Sequence, residues 1–256
     1  TMILNIPLVL YVLRAAIKDR LVLACLALTV LTVSLSLFVG DAAIVEKTQF
    51  VVVYTAGGLR VLSVLAIVLF TAFYIQRSFA QRDVEYLLSR PLSRVSFLLS
   101  HAVALAITAA ALSALAGAAI AILSYTNLSF DHLTWTLSLF FEVMLMGFVA
   151  LFFGMVLSSA TLSTLAAFAF YTLARMTGQL LGIVHENAMI WGGKFLGPIT
   201  EAISMLIPRF DLMTQSSWLI YGPQGHEGYL FLFAQSGVFS LLVLSAAVVD
   251  LVRREF

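Results

Sequence analysis

The chain has 256 residues, of which 62% are hydrophobic and 11% are charged, and its formal net charge is +1. Soluble domains carry about 25% charged residues, so this composition excludes an ordinary soluble fold and indicates a polytopic membrane protein built from helices. The low net charge gives no basic field that would favour a nucleic-acid partner, and a single cysteine, Cys25, excludes an intrachain disulfide framework.

The segment 5–20, before the first long apolar run, has the pattern of a helix on the membrane surface. Asn5 is placed to cap this helix, and Pro7 suits its first turn. One stripe at helical spacing contains Pro7, Tyr11, Arg14 and Lys18. The opposite side is largely apolar, with Val9, Val12, Leu13 and Ala16. We expect an interfacial helix with its cations near lipid phosphates; the alternative is an upstream extension of the first span.

Six apolar runs are long enough to cross a bilayer, since a spanning helix needs about 20 mostly apolar residues. The predicted spans are 21–39, 57–76, 95–125, 134–157, 161–183 and 229–252. Only residues 158–160 separate the fourth and fifth spans, which predicts a tight antiparallel hairpin. The predicted fold is therefore all-α, a single membrane domain with six transmembrane helices.

The most charged internal connection is 77–94, RSFAQRDVEYLLSRPLSR, between the second and third spans. Its first part has a helical pattern in which Arg82 and Glu85 are placed to pair on one face. Pro91 then ends the helix, and Ser93 suits the cap position of the third span. The candidate contact residues are Arg77, Gln81, Arg82, Glu85, Leu88, Ser89, Arg90, Pro91, Ser93 and Arg94. We expect a surface helix followed by a turn. The alternative is a positively charged cytoplasmic loop with no ordered helix.

The third span carries a stripe of small residues at a spacing of four, namely Ala106, Ala110, Ala114 and Ala118. Small residues at this spacing permit close contact between helices in lipid. We expect the stripe to pack within one chain, and a contact between two copies is the alternative.

Two ionisable residues fall inside the hairpin spans, Glu142 in the fourth and Arg175 in the fifth. At 1.5 Å per residue, both lie about 12 Å below the outer boundary. Because the spans are adjacent, the side chains could meet, which lowers the cost of a charge at that depth. Three interpretations are open: a salt bridge that holds the hairpin, charges that line a substrate cavity, or span boundaries that leave one charge in the interface.

The longest connection, 184–228, contains three of the five prolines and a stretch too apolar for a free loop. We expect one or two short helices there, at or dipping into the outer leaflet. Irregular backbone is tolerated at that depth where protein buries it.

Lys and Arg are distributed unevenly between the two sides that six spans define. One side carries nine of the 14 basic residues, the other carries three, and Arg60 and Arg175 fall within spans. Cytoplasmic loops are enriched in Lys and Arg, so the richer side is predicted to be cytoplasmic. This predicts a multi-pass protein of the inner (cytoplasmic) membrane, with segment 77–94 and both termini inside the cell.

No motif of a nucleotide-binding or hydrolytic enzyme is present. The chain has no GxxxxGK[ST], no HExxH and no GxSxG sequence. Its four histidines are scattered around loop edges, at positions 101, 132, 185 and 226. No catalytic residue, metal site or bound cofactor is therefore predicted on this chain.

The stretch EYLLSRPLSRVSFLLSH resembles the cytoplasmic loop of ABC-2 type transporter permeases, including the NosY-like group linked to multicopper enzyme maturation. The family's run Glu-x-Leu-Leu-Ser-x-Pro-Leu-Ser-Arg is matched by Glu85, Leu87, Leu88, Ser89, Pro91, Leu92, Ser93 and Arg94. The segment 206–213, LIPRFDLM, resembles the family's Leu-Pro-x-Phe segment before the last span. The chain departs from the family at 83–84, Asp-Val instead of Gly-Thr, and at 100–101, Ser-His instead of Gly-Lys.

The resemblance implies a division of labour between subunits. The permease is a dimer, and each copy docks a separate ATPase subunit, which carries ATP and Mg²⁺. The helix within 77–94 would be the coupling helix in an ATPase groove, and the N-terminal helix would also contact the ATPase. The expected function is the permease subunit of an ABC-2 type transporter, an exporter. Its expected partners are two ATPase copies, an identical or related permease copy, and the lipid bilayer.

Two other functions are open from the residues alone. One is a membrane scaffold or signalling subunit whose cytoplasmic helix recruits a partner. The other is an intramembrane enzyme built around Glu142, Arg175 and the His-Glu pair at 185–186, which lacks a nucleophile and base at a recognisable spacing. The spans are rich in Ala, Leu, Ser, Thr and Phe, which suits a lipidic, peptide or drug-like cargo.

Overall fold

The computed structural model describes residues 4–41, 46–80, 93–125, 128–186, 207–222 and 229–253. Helices are the only regular elements in these ranges, so the all-α prediction is confirmed for them. In chain order the helices are α1 (Ile6–Lys18), α2 (Leu21–Gly40), α3 (Lys47–Ala80), α4 (Arg94–Leu123), α5 (Phe130–Val156), α6 (Ala160–Glu186), α7 (Trp218–Tyr221) and α8 (Tyr229–Arg253). A 3₁₀ turn, Phe210–Leu212, precedes α7.

Five of these helices are long and apolar enough to cross a membrane. They are α2, α3, α4, α5 and α8, which correspond to the predicted first, second, third, fourth and sixth spans. The predicted fifth span is part of α6, which is 27 residues long but carries Arg175 and several Ser and Thr residues. By composition α6 is not among the five. The protein is therefore a multi-pass helical membrane protein with five candidate spans.

Helix α3 extends well beyond the predicted second span, 57–76. It begins at Lys47 and has 34 residues, which corresponds to about 51 Å at 1.5 Å per residue. The hydrocarbon core of a bilayer is about 30 Å thick, so α3 projects beyond it. The predicted boundary at residue 57 left out the apolar stretch 50–56 as well as the polar first turn with Lys47, Thr48 and Gln49.

Helix α1 has the predicted cap and the predicted two faces. The backbone N–H of Leu8 donates to Asn5 Oδ1 at 3.2 Å, and Pro7 lies in the first turn. The buried side includes Val9, Val12 and Ala16, whereas Pro7, Tyr11, Arg14 and Lys18 are exposed. Arg20 has φ 58°, which separates α1 from α2. The alternative of one continuous first span is therefore wrong.

The core of the bundle lies around α5, which packs against α3, α4, α6 and α8. Two-thirds (67%) of the spanning window of α5 is buried, compared with 22% of the window of α2. Helices α4 and α5 approach closely at Gly117, where an added Cβ would lie 2.5 Å from Thr136 Oγ1. A glycine is needed there because a side chain would collide with α5.

The alanine stripe of α4 does not pack within the chain as expected. Ala106 is half-buried, and Ala110, Ala114 and Ala118 are exposed. The alanines of α4 that are buried are Ala102, Ala104, Ala109 and Ala116. Alanine is so frequent in this helix that a spacing of four residues occurs on more than one face. The predicted stripe lies on an exposed face and not on the buried one.

Candidate functional site

Two regions of the bundle contain the candidate site residues. We call the end with Arg77 and the turn between α5 and α6 the Arg77 end. The other end, which holds residues 207–222, is called the opposite end. Antiparallel α5 and α6 place Glu142 and Arg175 at one height, since Glu142 is about 21 Å from Val156 and Arg175 about 22 Å from Ala160 along their helices.

Glu142 lies at the centre of a buried charge cluster between α5 and α6. Its side chain has no exposed surface, and Arg175 Nη1 is 3.6 Å from its Oε1. The hydroxyl of Tyr171 donates to the same oxygen at 2.8 Å, so Tyr171 makes the shorter contact. The other oxygen, Oε2, has no hydrogen-bond partner among the described residues. Glu142 and Arg175 thus lie at salt-bridge distance, and a role in lining a substrate path stays a prediction.

Arg175 also binds the backbone of the segment that precedes α7. Its Nη1 donates to the carbonyl oxygens of Phe210 and Met213, the latter at 2.8 Å. From α3, Arg60 Nη1 donates to the carbonyl oxygen of Thr214 at 3.1 Å. Two arginines on different helices therefore bind three carbonyls of one turn, residues 210–214, which we call the docked turn.

Three residues of the docked turn are enclosed by the helices that bind it, and Asp211 and Leu212 are half-buried. Phe210, Met213 and Thr214 have no exposed surface. Ser138 Oγ of α5 accepts a hydrogen bond from the backbone N–H of Thr214 at 2.9 Å. Thr214 has φ 50°, a left-handed conformation that is rare for β-branched residues. Helices α3, α5 and α6 thus hold this turn in one conformation.

The sequence interpretation named Glu142 and Arg175 but did not identify their main partners. Arg60, Ser138, Tyr171 and Thr214 were missed as members of the cluster. Arg60 could have been recognised from the sequence, because an arginine within an apolar span indicates a buried polar partner. The two short helical elements, Phe210–Leu212 and α7, lie in the described part of the connection 184–228, where short helices were expected.

At the Arg77 end, the last turn of α3 is bound to the end of α1. Arg77 donates from Nη1 and Nη2 to both carboxylate oxygens of Asp19, at 3.1 and 2.9 Å. Asp19 is the residue that caps the C-terminus of α1. The side chains of Arg77 and Asp19 are 52% and 28% exposed, so water screens this pair.

The first residue of α4 is bound to the end of α8. Arg94 Nη1 donates to the carbonyl oxygens of Leu251 and Val252 at 2.8 and 2.9 Å. These carbonyls belong to the last turn of α8, where a cation is favoured by the helix dipole. The predicted cap of α4 is confirmed, because Ser93 Oγ accepts from the N–H of Ser96 at 3.1 Å.

Segment 81–92 is therefore flanked in the sequence by two arginines, Arg77 and Arg94, each of which is bound to another helix. Most of the candidate contact residues lie outside the described residues, namely Gln81, Arg82, Glu85, Leu88, Ser89, Arg90 and Pro91. Beside them, Gln76 Nε2 donates to the carbonyls of Gly154 and Leu157 at 2.8 and 2.5 Å. The end of α3 is thus bound to α1 and also to the turn between α5 and α6.

Within the described ranges, no group of three or more His, Cys, Asp or Glu residues is placed to hold a metal ion. No protein-family model matches the chain, and no curated protein matches it.

Proposed function

We propose that this chain is the permease subunit of an ABC-2 type transporter, an exporter driven by separate ATPase subunits. The observation that carries the proposal is the anchoring of both helices that flank segment 81–92. Arg77 binds Asp19 of α1, and Arg94 binds the last carbonyls of α8. A partner that moves this segment would act on four helices together.

The proposal places the Arg77 end in the cytoplasm and makes α6 the fifth of six spans. Exposed basic residues in the described part of that end are Arg14, Lys18, Arg20, Arg77 and Arg253. This enrichment supports a cytoplasmic side under the positive-inside rule. The short turn between α5 and α6 supports α6 as a return span, which puts both termini inside the cell.

The mechanism follows from how α3 is bound near its C-terminus, by Gln76 and Arg77, and within the helix at Arg60. ATP-driven closure of the ATPase subunits would move 77–94, and Gln76 would pass the movement to the turn between α5 and α6. At the opposite end, the docked turn is held by Arg60, Ser138 and Arg175. In this proposal the docked turn closes the substrate path. Opening requires a second state in which these contacts differ, because a partner shifts an equilibrium only through differential interactions.

The second permease copy would contact this chain through helices that are poorly covered within it. The exposed stripe Ala110, Ala114 and Ala118 supports a close helix contact between copies. ATP and Mg²⁺ would bind only to the partner ATPase subunits.

The buried cluster suits a holding role better than catalysis. Arg175 directs Nη1 to backbone carbonyls, and Glu142 accepts from Tyr171. Among the described residues the cluster holds one hydroxyl beside one carboxylate, Tyr171 and Glu142, and its other contacts fix helices and a turn. The permease function is therefore favoured over an intramembrane enzyme.

The test is purification of the tagged full chain from its native membranes. We expect a P-loop ATPase to co-purify, and we expect the variant Arg82→Ala/Glu85→Ala to insert normally and to lose that ATPase. Tyr125→Ala, exposed at the opposite end, is the matched control and should retain it. Retention of the ATPase by the double variant, or its absence from the wild-type preparation, contradicts the proposal. A bound ATPase without substrate-stimulated hydrolysis would indicate a scaffold.

A further inference from the structure

A groove of about 390 Å³ lies between α2 and α3, and we call it the α2–α3 groove. Its charged lining residues are Asp19 and Arg77, which mark its mouth at the Arg77 end. All other lining residues are apolar or cysteine, and they come from the first half of α2 and the last half of α3. The groove therefore has one polar end and an apolar body.

The apolar body of the α2–α3 groove is open towards the surroundings of the bundle. Among its lining residues, Cys25, Ala66 and Phe70 are buried, whereas Ala24 and Phe73 are exposed. Both helices are candidate membrane spans, so the surroundings at this depth are hydrocarbon. Apolar side chains beside an empty space lose dispersion contacts, and water does not fill an apolar space. A hydrocarbon chain is therefore the occupant that suits the body of the groove.

The length of the groove matches one leaflet of a bilayer. Its lining on α3 runs from Leu65 to Phe73, which is about 12 Å at 1.5 Å per residue. One leaflet contributes about 15 Å of hydrocarbon, half of the bilayer core of about 30 Å. Further from the mouth, the space between α2, α3 and α4 narrows to about 10 Å³ beside Leu28, Leu59 and Leu112. An acyl chain ends within one leaflet, whereas a spanning helix of a second copy would continue through both.

The mouth of the groove carries an excess of positive charge. Arg77 gives two N–H groups to Asp19, and a guanidinium has five, so three remain for another acceptor. Arg20 is exposed and lies between Asp19 and Leu21, which both line the groove. No side chain caps the N-terminus of α2, and the free N–H groups of a helix start favour an anion. Two arginines against one carboxylate leave room for one negative charge.

We propose that the α2–α3 groove binds a phospholipid with a negatively charged headgroup. Its phosphate contacts Arg77 and Arg20, and one acyl chain lies along Ala24, Cys25 and Phe70. Basic pockets between transmembrane helices are known to bind anionic headgroups. A zwitterionic phospholipid offers the same chain but brings an ammonium group to the arginines, so it binds more weakly. The proposal is independent of any ATPase partner.

The proposed lipid also touches the contact that joins α1 to α3. Asp19 ends α1, and its pair with Arg77 forms the mouth of the groove. A phosphate on the free N–H groups of Arg77 leaves the two hydrogen bonds to Asp19 in place. The bound lipid therefore stabilises the packing of α1, α2 and α3, since a ligand of the native state raises its stability by mass action.

The experiment is native mass spectrometry of the purified, delipidated full chain in detergent. The probes are dioleoyl-phosphatidylglycerol and dioleoyl-phosphatidylcholine, which share their chains and differ in headgroup charge, and glycerol 3-phosphate is the competitor without chains. We expect one tight site for phosphatidylglycerol, binding of phosphatidylcholine about fivefold weaker or more, and no competition by glycerol 3-phosphate. Equal affinity for the two lipids, displacement by glycerol 3-phosphate, or a dimer of the chain that binds neither lipid overturns the proposal.

A variant that fills the groove tests the position of the acyl chain. Ala24→Phe places a ring in the groove from an exposed position, so it should abolish the tight site for both lipids. Ala27→Phe is the matched control, because Ala27 is exposed on the same helix and does not line the groove. Tight lipid binding by Ala24→Phe, or equal loss in Ala27→Phe, contradicts the proposal.

Charge variants of opposite sign test the headgroup contact. Arg77→Gln should weaken phosphatidylglycerol binding about fivefold, as expected for the loss of one cation near a headgroup. Asp19→Asn should strengthen it, because it removes the carboxylate from the mouth. Arg253→Gln, exposed at the same end, is the control and should leave it unchanged. Affinities are compared for variants that keep the wild-type melting temperature, and the charge variants carry the test if Ala24→Phe unfolds. An unchanged preference for phosphatidylglycerol in both charge variants overturns the proposal.

Discussion

The two ends of the bundle are held by charged groups in opposite surroundings. At the opposite end, Glu142 and three residues of the docked turn have no exposed surface. Arg60, Arg175 and Ser138 bind that turn from three helices. At the Arg77 end, the pair between Arg77 and Asp19 is substantially exposed. The difference in burial predicts a difference in strength.

Because of this difference, the opposite end should be hard to move, whereas a partner should be able to rearrange the Arg77 end. Loss of one member of a buried pair costs about 3–5 kcal/mol, because the other is left uncompensated. An exposed pair contributes about 0.2–1 kcal/mol and is weakened by salt. We therefore expect the Arg77 end to respond to binding partners and the opposite end to determine stability.

The largest expected effect comes from Arg175→Met. The variant leaves Glu142 and the carbonyls of Phe210 and Met213 without their cation. The free energy of unfolding should therefore fall by about 3–5 kcal/mol. Thermal or denaturant unfolding in detergent measures the loss.

The matched control for this variant is Glu142→Gln/Arg175→Met. The double variant removes both charges while Tyr171 keeps an acceptor, so it should recover part of the stability lost in the single variant. A single variant as stable as the wild type would show that the cluster does not hold the bundle together.

A smaller effect is expected from Gly178→Ala in α6. An added Cβ would lie 2.9 Å from Cγ of Asp211 and closer still to its Oδ2. Displacing the docked turn should cost about 1–3 kcal/mol, as overpacking does, and should make residues 207–222 easier to cleave by protease.

Gly182→Ala is the control on the same helix. Among the described residues, no atom outside the backbone of α6 lies within 4 Å of a Cβ at Gly182, so this change should stabilise α6 by up to about 1 kcal/mol. Equal stability and equal protease cleavage of the two alanine variants would mean that Asp211 does not pack on Gly178.

The smallest effect on stability is expected from Arg77→Gln. Because the pair with Asp19 is exposed, the loss should be about 0.2–1 kcal/mol and should disappear in high salt. Arg253→Gln is the control, since Arg253 is exposed at the same end and makes no ion pair within the described residues. A loss that persists at high salt would show that the pair is not screened as its exposure implies.

The sequence predicted local features of the fold well and non-local ones poorly. The caps at Asn5 and Ser93 depend on the next three residues, and long apolar runs must be helical in a bilayer. The docked turn depends on Arg60 and Thr214, which are 154 residues apart. No local pattern links an arginine to a distant backbone carbonyl, so the sequence could not predict this contact.

The start of α3 shows a second limit. The predicted span was limited to the 20 or so residues that a bilayer needs, and α3 continues before it through the apolar stretch 50–56 and a polar turn from Lys47. Hydropathy indicates that a helix crosses the membrane, but it does not give the length of a helix that projects beyond it.

The most direct test of the central claim is an ATP-dependent distance measurement on the complex with its co-purified ATPase. Spin labels at Tyr11→Cys in α1 and Ser245→Cys in α8, in a Cys25→Ala background, report movement at the Arg77 end. We predict that ATP changes this distance in the wild type, that Arg77→Asp loses the change, and that the charge swap Asp19→Arg/Arg77→Asp restores it. An ATP-bound complex in which the wild type and Arg77→Asp show the same distances would contradict the claim that the Arg77 end transmits the movement of its partner.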